Sequence, residues 1–264
     1  MSGHPLRFVD ADCWVGESRM PLPARLRGDA LGGLVETMER LGIAEACPAS
    51  ISAAVRPARD GNRQLVTQTA GLDRVHPVWV IAAHHTAEAA QPEDLVRQMK
   101  DAGVRMARAV LGGADGYFGA LHLLQMEGLV DVLAANCVPL ILDLCDREEV
   151  GSRELSDLLH AWPGLPVILT FPKMEKEERV LYCLLERYRN LRVSLSGYQV
   201  LGGLEELVRL FGARVALFGS NYPYFTPLQG MLQVIYSEMP EEDQRRVAGD
   251  NTRELLREAW RPKP

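Results

Sequence analysis

The sequence predicts an α/β fold of the (β/α)8 TIM-barrel type, and three observations support this prediction. Short aliphatic runs alternate with longer segments of helical periodicity along the whole chain. Eight strand-and-helix units fit within the 264 residues, and such alternation favours parallel strands joined by right-handed crossovers. No Gly-x-Gly-x-x-Gly turn follows a strand, which argues against the alternative, an open doubly wound sheet. Residues 1–264 contain no linker or internal repeat, so we expect one domain.

The predicted strands are short and rich in aliphatic and β-branched residues, as strands buried on both faces are. They cover residues 6–12, 43–49, 75–83, 104–111, 138–144, 166–171, 191–197 and 214–220. The predicted helices carry apolar residues three or four positions apart. They cover residues 29–41, 62–70, 93–103, 119–136, 152–161, 175–189, 203–211, 227–238 and 241–260. We expect Gly42 to end the first helix and Asn62 to cap the second.

Composition and charge exclude several classes of protein. The chain is 47% apolar and 24% charged, which excludes intrinsic disorder. A net charge of −6 without a Lys/Arg cluster argues against a nucleic-acid partner. No apolar run reaches the roughly 18 residues of a membrane span, and the N-terminal segment does not resemble a signal peptide. The five cysteines are scattered and odd in number, which fits reduced thiols and a cytoplasmic location.

Polar and aromatic side chains follow the predicted strands at their carboxyl ends, where barrel enzymes carry their active sites. The segments are FVDADCWVG, ILDLCD, VILTFPK and ALFGSNYP, with Asp12, Trp14, Asp143, Phe171, Asn221 and Tyr222. Strand alternation predicts that Phe8, Asp10, Asp12 and Trp14 share the inner face, and that Cys13 points away from it.

These segments, in this order, resemble the amidohydrolase-related metal-dependent hydrolases, in the branch that includes small-molecule decarboxylases and lactone hydrolases. The likeness extends over nearly the whole chain, and LFGS followed by Tyr-Pro is its most specific fragment. The resemblance implies an amidohydrolase-like barrel that holds one or two divalent metals, commonly zinc. The ligands it implies are a His-x-His pair on the first strand, a His on the fifth and sixth, and an Asp on the eighth.

This sequence departs from that ligand pattern at every position. The His-x-His pair falls on Asp12 and Trp14, the next two histidines on Asp143 and Phe171, and the aspartate on Asn221. Indole and phenyl rings cannot ligate a metal, and an amide does not accept a proton near neutral pH. We therefore expect no zinc cofactor and a degenerate metal site. The oxygens of Asp12, Asp143 and Asn221 leave Mg, Mn or Ca as a less favoured option.

Two further residues are candidates at the same rim. Arg108 ends the fourth strand, where it either binds a ligand carboxylate or neutralises the aspartates. His84, beside His85, follows the third strand and is either a general acid or base or a solvated structural residue. Together with Arg108, we expect a ligand pocket to include Trp14, Phe171, Asn221 and Tyr222.

Two classes of function stay open. The first, which the replaced ligands favour, is a barrel protein that has lost metal-dependent hydrolysis. Such a protein would bind a small carboxylated or aromatic ligand, or scaffold a protein partner. The alternative is an active hydrolase or decarboxylase with a rebuilt site, in which Asp12, Asp143 and His84 are catalytic and Arg108 binds the carboxylate. The resemblance also implies a homodimer as one assembly.

Overall fold

The protein is a closed barrel of parallel strands with helices outside, seen in a computed structural model that describes residues 6–16, 30–86, 89–111, 123–143, 152–170 and 178–261. The strands are β1 (Phe8–Val15), β2 (Ile43–Ser50), β3 (Trp79–Val80), β4 (Ala107–Val110), β5 (Leu140–Asp143), β6 (Val167–Thr170), β7 (Leu191–Ser194) and β8 (Ala216–Leu217). β1 pairs with β2, and β3 to β8 pair in chain order, always in parallel. The predicted fold class is confirmed.

Two seams close the ring between these sheets. On one side, Ala49 of β2 bridges to Val78, which directly precedes β3. On the other side, the Ala11 N–H of β1 donates to the Phe218 carbonyl at 3.0 Å, and Cys13 bridges to Tyr222 beyond β8. The carboxyl ends of all these parallel strands therefore meet at one mouth of the barrel.

The helices lie between successive strands and cover them from outside. They are α1 (Ala30–Leu41), α2 (Ile51–Val55), α3 (Ala58–Thr69), α4 (Pro92–Asp101), α5 (Leu123–Ala135), α6 (Ser152–Ala161), α7 (Glu178–Arg187), α8 (Gly203–Phe211), α9 (Leu228–Ile235), α10 (Glu241–Arg245) and α11 (Asn251–Glu258). A π-helical turn joins α10 to α11, so the predicted terminal helix is interrupted. Among the described residues, no helix has the length and apolar character needed to cross a bilayer.

Asn62 differs from its prediction as a helix cap. It lies inside α3, buried, and its side-chain amide pairs with the backbone of Val80 in β3. Its Nδ2 donates to the Val80 carbonyl at 2.8 Å, and its Oδ1 accepts from the Val80 N–H at 3.0 Å. The amide therefore ties α3 to the end of a very short strand, which explains a polar residue on a buried helix face.

The core has two layers, one inside the barrel and one between strands and helices. The inner layer includes Val9, Ala49, Val80, Met106, Ile141, Ile168 and Leu217. The outer layer includes Phe8, Cys13, Ala107, Leu140, Leu169, Val193 and Phe218. Alternate side chains of each strand enter different layers. Those on the inner face near the carboxyl ends of the strands therefore point towards the mouth.

Strand β1 departs from simple alternation. Its register against β2 shifts between Phe8 and Val9 and again between Asp10 and Cys13. Phe8 and Cys13 lie in the outer layer, whereas Val9, Ala11 and Trp14 lie in the inner one. The expected inward position of Phe8 is therefore wrong, because an irregular register breaks the two-residue period. The outward position of Cys13 is confirmed.

Candidate functional site

A buried cluster of three charged side chains lies at the inner end of the mouth. Arg108 of β4 donates from Nε and Nη2 to Oδ2 of Asp143 in β5, at 2.9 and 2.6 Å. Its Nη2 also donates to Oδ1 of Asp12 in β1, at 2.6 Å. Arg108 and Asp12 are 0% exposed and Asp143 is 7% exposed. One guanidinium therefore pairs with two desolvated carboxylates, an arrangement that is stable only when the partners stay together.

The indole of Trp14 lies against this guanidinium. The Cζ of Arg108 lies 3.9 Å from the centroid of the Trp14 ring, close enough for a cation–π contact. Burial would lower the pKa of Arg108, but the charges of Asp143 and Asp12 outweigh it and hold that pKa above its ordinary value. Arg108 is therefore a permanent cation that lies over an aromatic face.

Two serines on the β7 side complete the surroundings of Asp12. Ser194 Oγ donates to Asp12 Oδ2 at 3.1 Å, and the Ser196 hydroxyl donates to the same oxygen. The two carboxylate oxygens of Asp12 thus have separate partners, Arg108 on one side and hydroxyls on the other. Sequence reasoning missed both serines. Their signal is the Ser-x-Ser spacing in the predicted seventh strand, which places both side chains on one face.

The chain beyond β8 joins the cluster through its backbone. The Asn221 N–H donates to the Asp12 carbonyl at 2.7 Å, and the Trp14 N–H donates to the Tyr222 carbonyl at 2.7 Å. Asn221 has a left-handed φ of 51°, which turns the chain at this point. The structure therefore brings Asp12, Trp14, Arg108 and Asp143 together by their side chains, and Asn221 and Tyr222 by their main chain.

Asp10 is a second buried carboxylate close to this cluster. It accepts hydrogen bonds from the Ser220 N–H at 3.0 Å, from the Asp12 N–H at 3.2 Å and from the Ser220 hydroxyl. Burial, reinforced by the charge of Asp12, raises the pKa of Asp10 from 3.8 to about 7, against the opposing effect of the Ser220 hydrogen bond. Its charge therefore changes near neutral pH.

Gly219 lies where the site leaves no room for a side chain. A Cβ there would lie 2.8 Å from the Cβ of Asp12 and would also collide with the Ser194 hydroxyl. We expect Gly219→Ala to lower the free energy of unfolding by about 1–3 kcal/mol, because close-packed neighbours must move. Urea denaturation measures the loss. Gly164→Ala is the matched control, since a Cβ at Gly164 meets nothing within 4 Å. Equal stability of the two variants would contradict the steric argument.

His84 lies against a helix. Its ring stacks on His85 at 4.1 Å between centroids, and a Cβ at Gly128 of α5 would lie 3.9 Å from its Cε1. No hydrogen bond or ion pair within the described part of the chain joins His84 to Asp12, Arg108 or Asp143, and its catalytic role stays a prediction. Phe171, the remaining predicted pocket residue, lies outside the described residues.

Among the described residues at the mouth, the side chains present are a poor donor set for a divalent metal. The guanidinium of Arg108 lies within 2.6 Å of an oxygen of each carboxylate. The positively charged arginine therefore already occupies the oxygens that a metal cation would need. Trp14 offers an indole face rather than a lone pair. Within the described ranges, no group of three His, Cys, Asp or Glu side chains could hold a metal ion.

The comparisons with known proteins give the family. The amidohydrolase family model matches residues 10–257. The chain belongs to the amidohydrolase family, as the strand-end segments predict. No curated protein matches the chain.

Solved structures share its fold. A TIM-barrel protein from Bordetella bronchiseptica is 18% identical, with a TM-score of 0.72 over 97% of this chain and 100% of its own. A 5-carboxyvanillate decarboxylase from Novosphingobium aromaticivorans, in complex with manganese and a nitrobenzoic acid, is 12% identical, with a TM-score of 0.71 over 96% of each chain. A probable 2-pyrone-4,6-dicarboxylic acid hydrolase from Acinetobacter baumannii with bound citric acid is 12% identical, with a TM-score of 0.66 over 95% and 99%.

Proposed function

We propose that this protein binds a small aromatic carboxylate at the barrel mouth through Arg108 and acts on it as a decarboxylase or hydrolase. The observation that carries the proposal is Nη1 of Arg108. This atom is buried and has no hydrogen-bond partner among the described residues, whereas Nε and Nη2 are both engaged. A guanidinium nitrogen without an acceptor is costly in a buried site, and a ligand carboxylate supplies the acceptor it lacks.

The aspartates serve this site by positioning the anchor. Asp143 holds Nε and Nη2 of Arg108, and Asp12 holds Nη2 from another direction, so the free edge of the guanidinium has one orientation. Because both carboxylates are ion-paired, neither is a free general base. This supports decarboxylation over hydrolysis, since loss of CO2 needs a carboxylate anchor and a proton donor more than an activated water. A series of substitutions at the mouth would identify the proton donor.

The relatives support an enzyme over a binding protein. The similar structures are of a decarboxylase that holds an aromatic acid and of a probable hydrolase that holds citric acid. The second candidate function, carboxylate binding without turnover, is favoured by one observation, the engagement of both Asp12 and Asp143 by Arg108. The two candidates share the anchor and differ in turnover.

Arg108→Lys tests the anchor. We expect hydroxybenzoates to raise the melting temperature of the wild-type protein, and the substitution to weaken their binding about tenfold or more, because an ammonium lacks the planar fork. Isothermal titration calorimetry gives the affinities, and circular dichroism confirms that the variant is folded.

Two controls make the outcome specific. Benzamide has the same ring without the charge and is expected not to bind. Arg209→Lys changes an exposed arginine on α8 and should leave binding unchanged. Failure of every acid to bind the wild type, or equal binding by Arg108→Lys, would overturn the proposal. Binding without CO2 release or a hydrolysis product would select the second candidate.

A further inference from the structure

We infer that the guanidinium of Arg108 takes the place of the divalent ion at the centre of this barrel, so that the cation of the site is part of the chain. Two positions where the resemblance places metal ligands, Asp12 and Asp143, both direct carboxylate oxygens at it, at 2.6 Å. The inference goes beyond the proposed function, because it applies equally to an enzyme and to a binding protein.

The charges and hydrogen bonds of the cluster support this replacement. The mouth holds a cation bound by two carboxylates from different strands, β1 and β5, and buried from solvent. Those two ion pairs hold the guanidinium in place, as carboxylate ligands hold a metal ion in place. A second cation would lie within a few ångströms of the first in a low-dielectric site, where like charges repel strongly. The fixed guanidinium and a bound metal therefore exclude each other.

The residue at position 14 fits the same replacement. The resemblance places a histidine ligand there, and this chain has a tryptophan whose ring lies 3.9 Å from Cζ of Arg108. An indole cannot donate a lone pair to a metal, but its face attracts a guanidinium. The change at position 14 thus removes a metal ligand and adds a partner for the arginine. Arg108, Trp14 and the two aspartates form one compatible set.

A titration with Mn²⁺ tests the inference without any organic ligand. Free Mn²⁺ is followed by electron paramagnetic resonance at pH 7.5 for the wild type, Arg108→His and Arg108→Lys. We expect no binding by the wild type at concentrations up to about 1 mM. Arg108→His removes the fixed charge and adds an imidazole to two carboxylates, so we expect about one Mn²⁺ per chain. Arg108→Lys keeps a positive charge and is expected to bind none.

The double variant Arg108→His/Asp143→Asn locates the ion, since it removes one of the two carboxylates and should lose the binding that Arg108→His gains. Circular dichroism with and without Mn²⁺ checks folding, and Arg108→Ala replaces Arg108→His if the latter does not fold. A folded histidine or alanine variant that binds no more Mn²⁺ than the wild type would overturn the inference. Wild-type binding of Mn²⁺ that Asp12→Asn abolishes would overturn it as well, whether or not the Arg108 variants fold.

Discussion

Arg108→Met is expected to lower the free energy of unfolding by about 3–5 kcal/mol, the usual cost of removing one partner of a buried ion pair. Methionine fills much of the same space without charge. Asp12 and Asp143, which are 0% and 7% exposed, then lose their common partner and repel each other in a desolvated site. Urea denaturation followed by circular dichroism measures the loss.

The control for this prediction is an arginine in an exposed ion pair. Arg209 bonds to Glu206 on the surface of α8, so Arg209→Met should change stability by less than about 1 kcal/mol. A further variant, Arg108→Met/Asp143→Leu, also removes one of the two carboxylates left without arginine. It should recover part of the lost free energy of unfolding. Equal stability of Arg108→Met and Arg209→Met would contradict the prediction.

Asp10→Asn is expected to make the protein more stable at pH 8 and to make its free energy of unfolding less dependent on pH. The folded pKa of Asp10 is about 7, against 3.8 for an ordinary aspartate, because the carboxyl is buried. Between these values the unfolded chain has lost the proton that the folded chain keeps, so rising pH favours unfolding. The stability present below pH 4 is therefore lost as pH rises through about 7. The difference between 3.8 and about 7 corresponds to on the order of 4 kcal/mol.

Asparagine suits this position because it keeps the hydrogen bonds without a titrating group. Its Oδ1 can accept from the backbone N–H groups of Asp12 and Ser220, and its Nδ2 can donate to the Ser220 hydroxyl. Urea denaturation at pH 4, 6 and 8 measures the gap between variant and wild type, which should widen with pH. Asp73→Asn, at an exposed aspartate, is the control and should show a constant gap. A gap that narrows with rising pH would contradict the prediction.

The barrel could be predicted because hydrophobic periodicity reports which face of each element is buried. Alternating strands and helices then restrict the topology to parallel pairing. The same rule places the rim residues together, since the carboxyl ends of parallel strands share one side. It predicts that Asp12, Arg108 and Asp143 lie near one another, and the structure joins them within hydrogen-bonding distance.

Other features depend on contacts that periodicity does not encode. The register shifts in β1 arise from pairing with β2, and they place Phe8 outside and Ala11 inside. Asn62 has the side chain of a helix cap, but its partner is a strand backbone 18 residues away in sequence. Periodicity also does not show which nitrogens of Arg108 the aspartates engage. The folded geometry gives that: Nε and Nη2 are engaged, and Nη1 has no hydrogen-bond partner among the described residues.

Asp12 makes two contacts that connect the closure of the barrel to the ion-pair cluster. Its carbonyl accepts the Asn221 N–H across the seam that joins the first strand to the last, while its carboxylate binds Arg108. Asp12 thus contributes both to this seam and to the ion-pair cluster with Arg108. Opening of the seam at Asp12 would disturb the cluster as well. A ligand bound to Arg108, as the proposed function has it, is therefore expected to raise the free energy needed to open this seam.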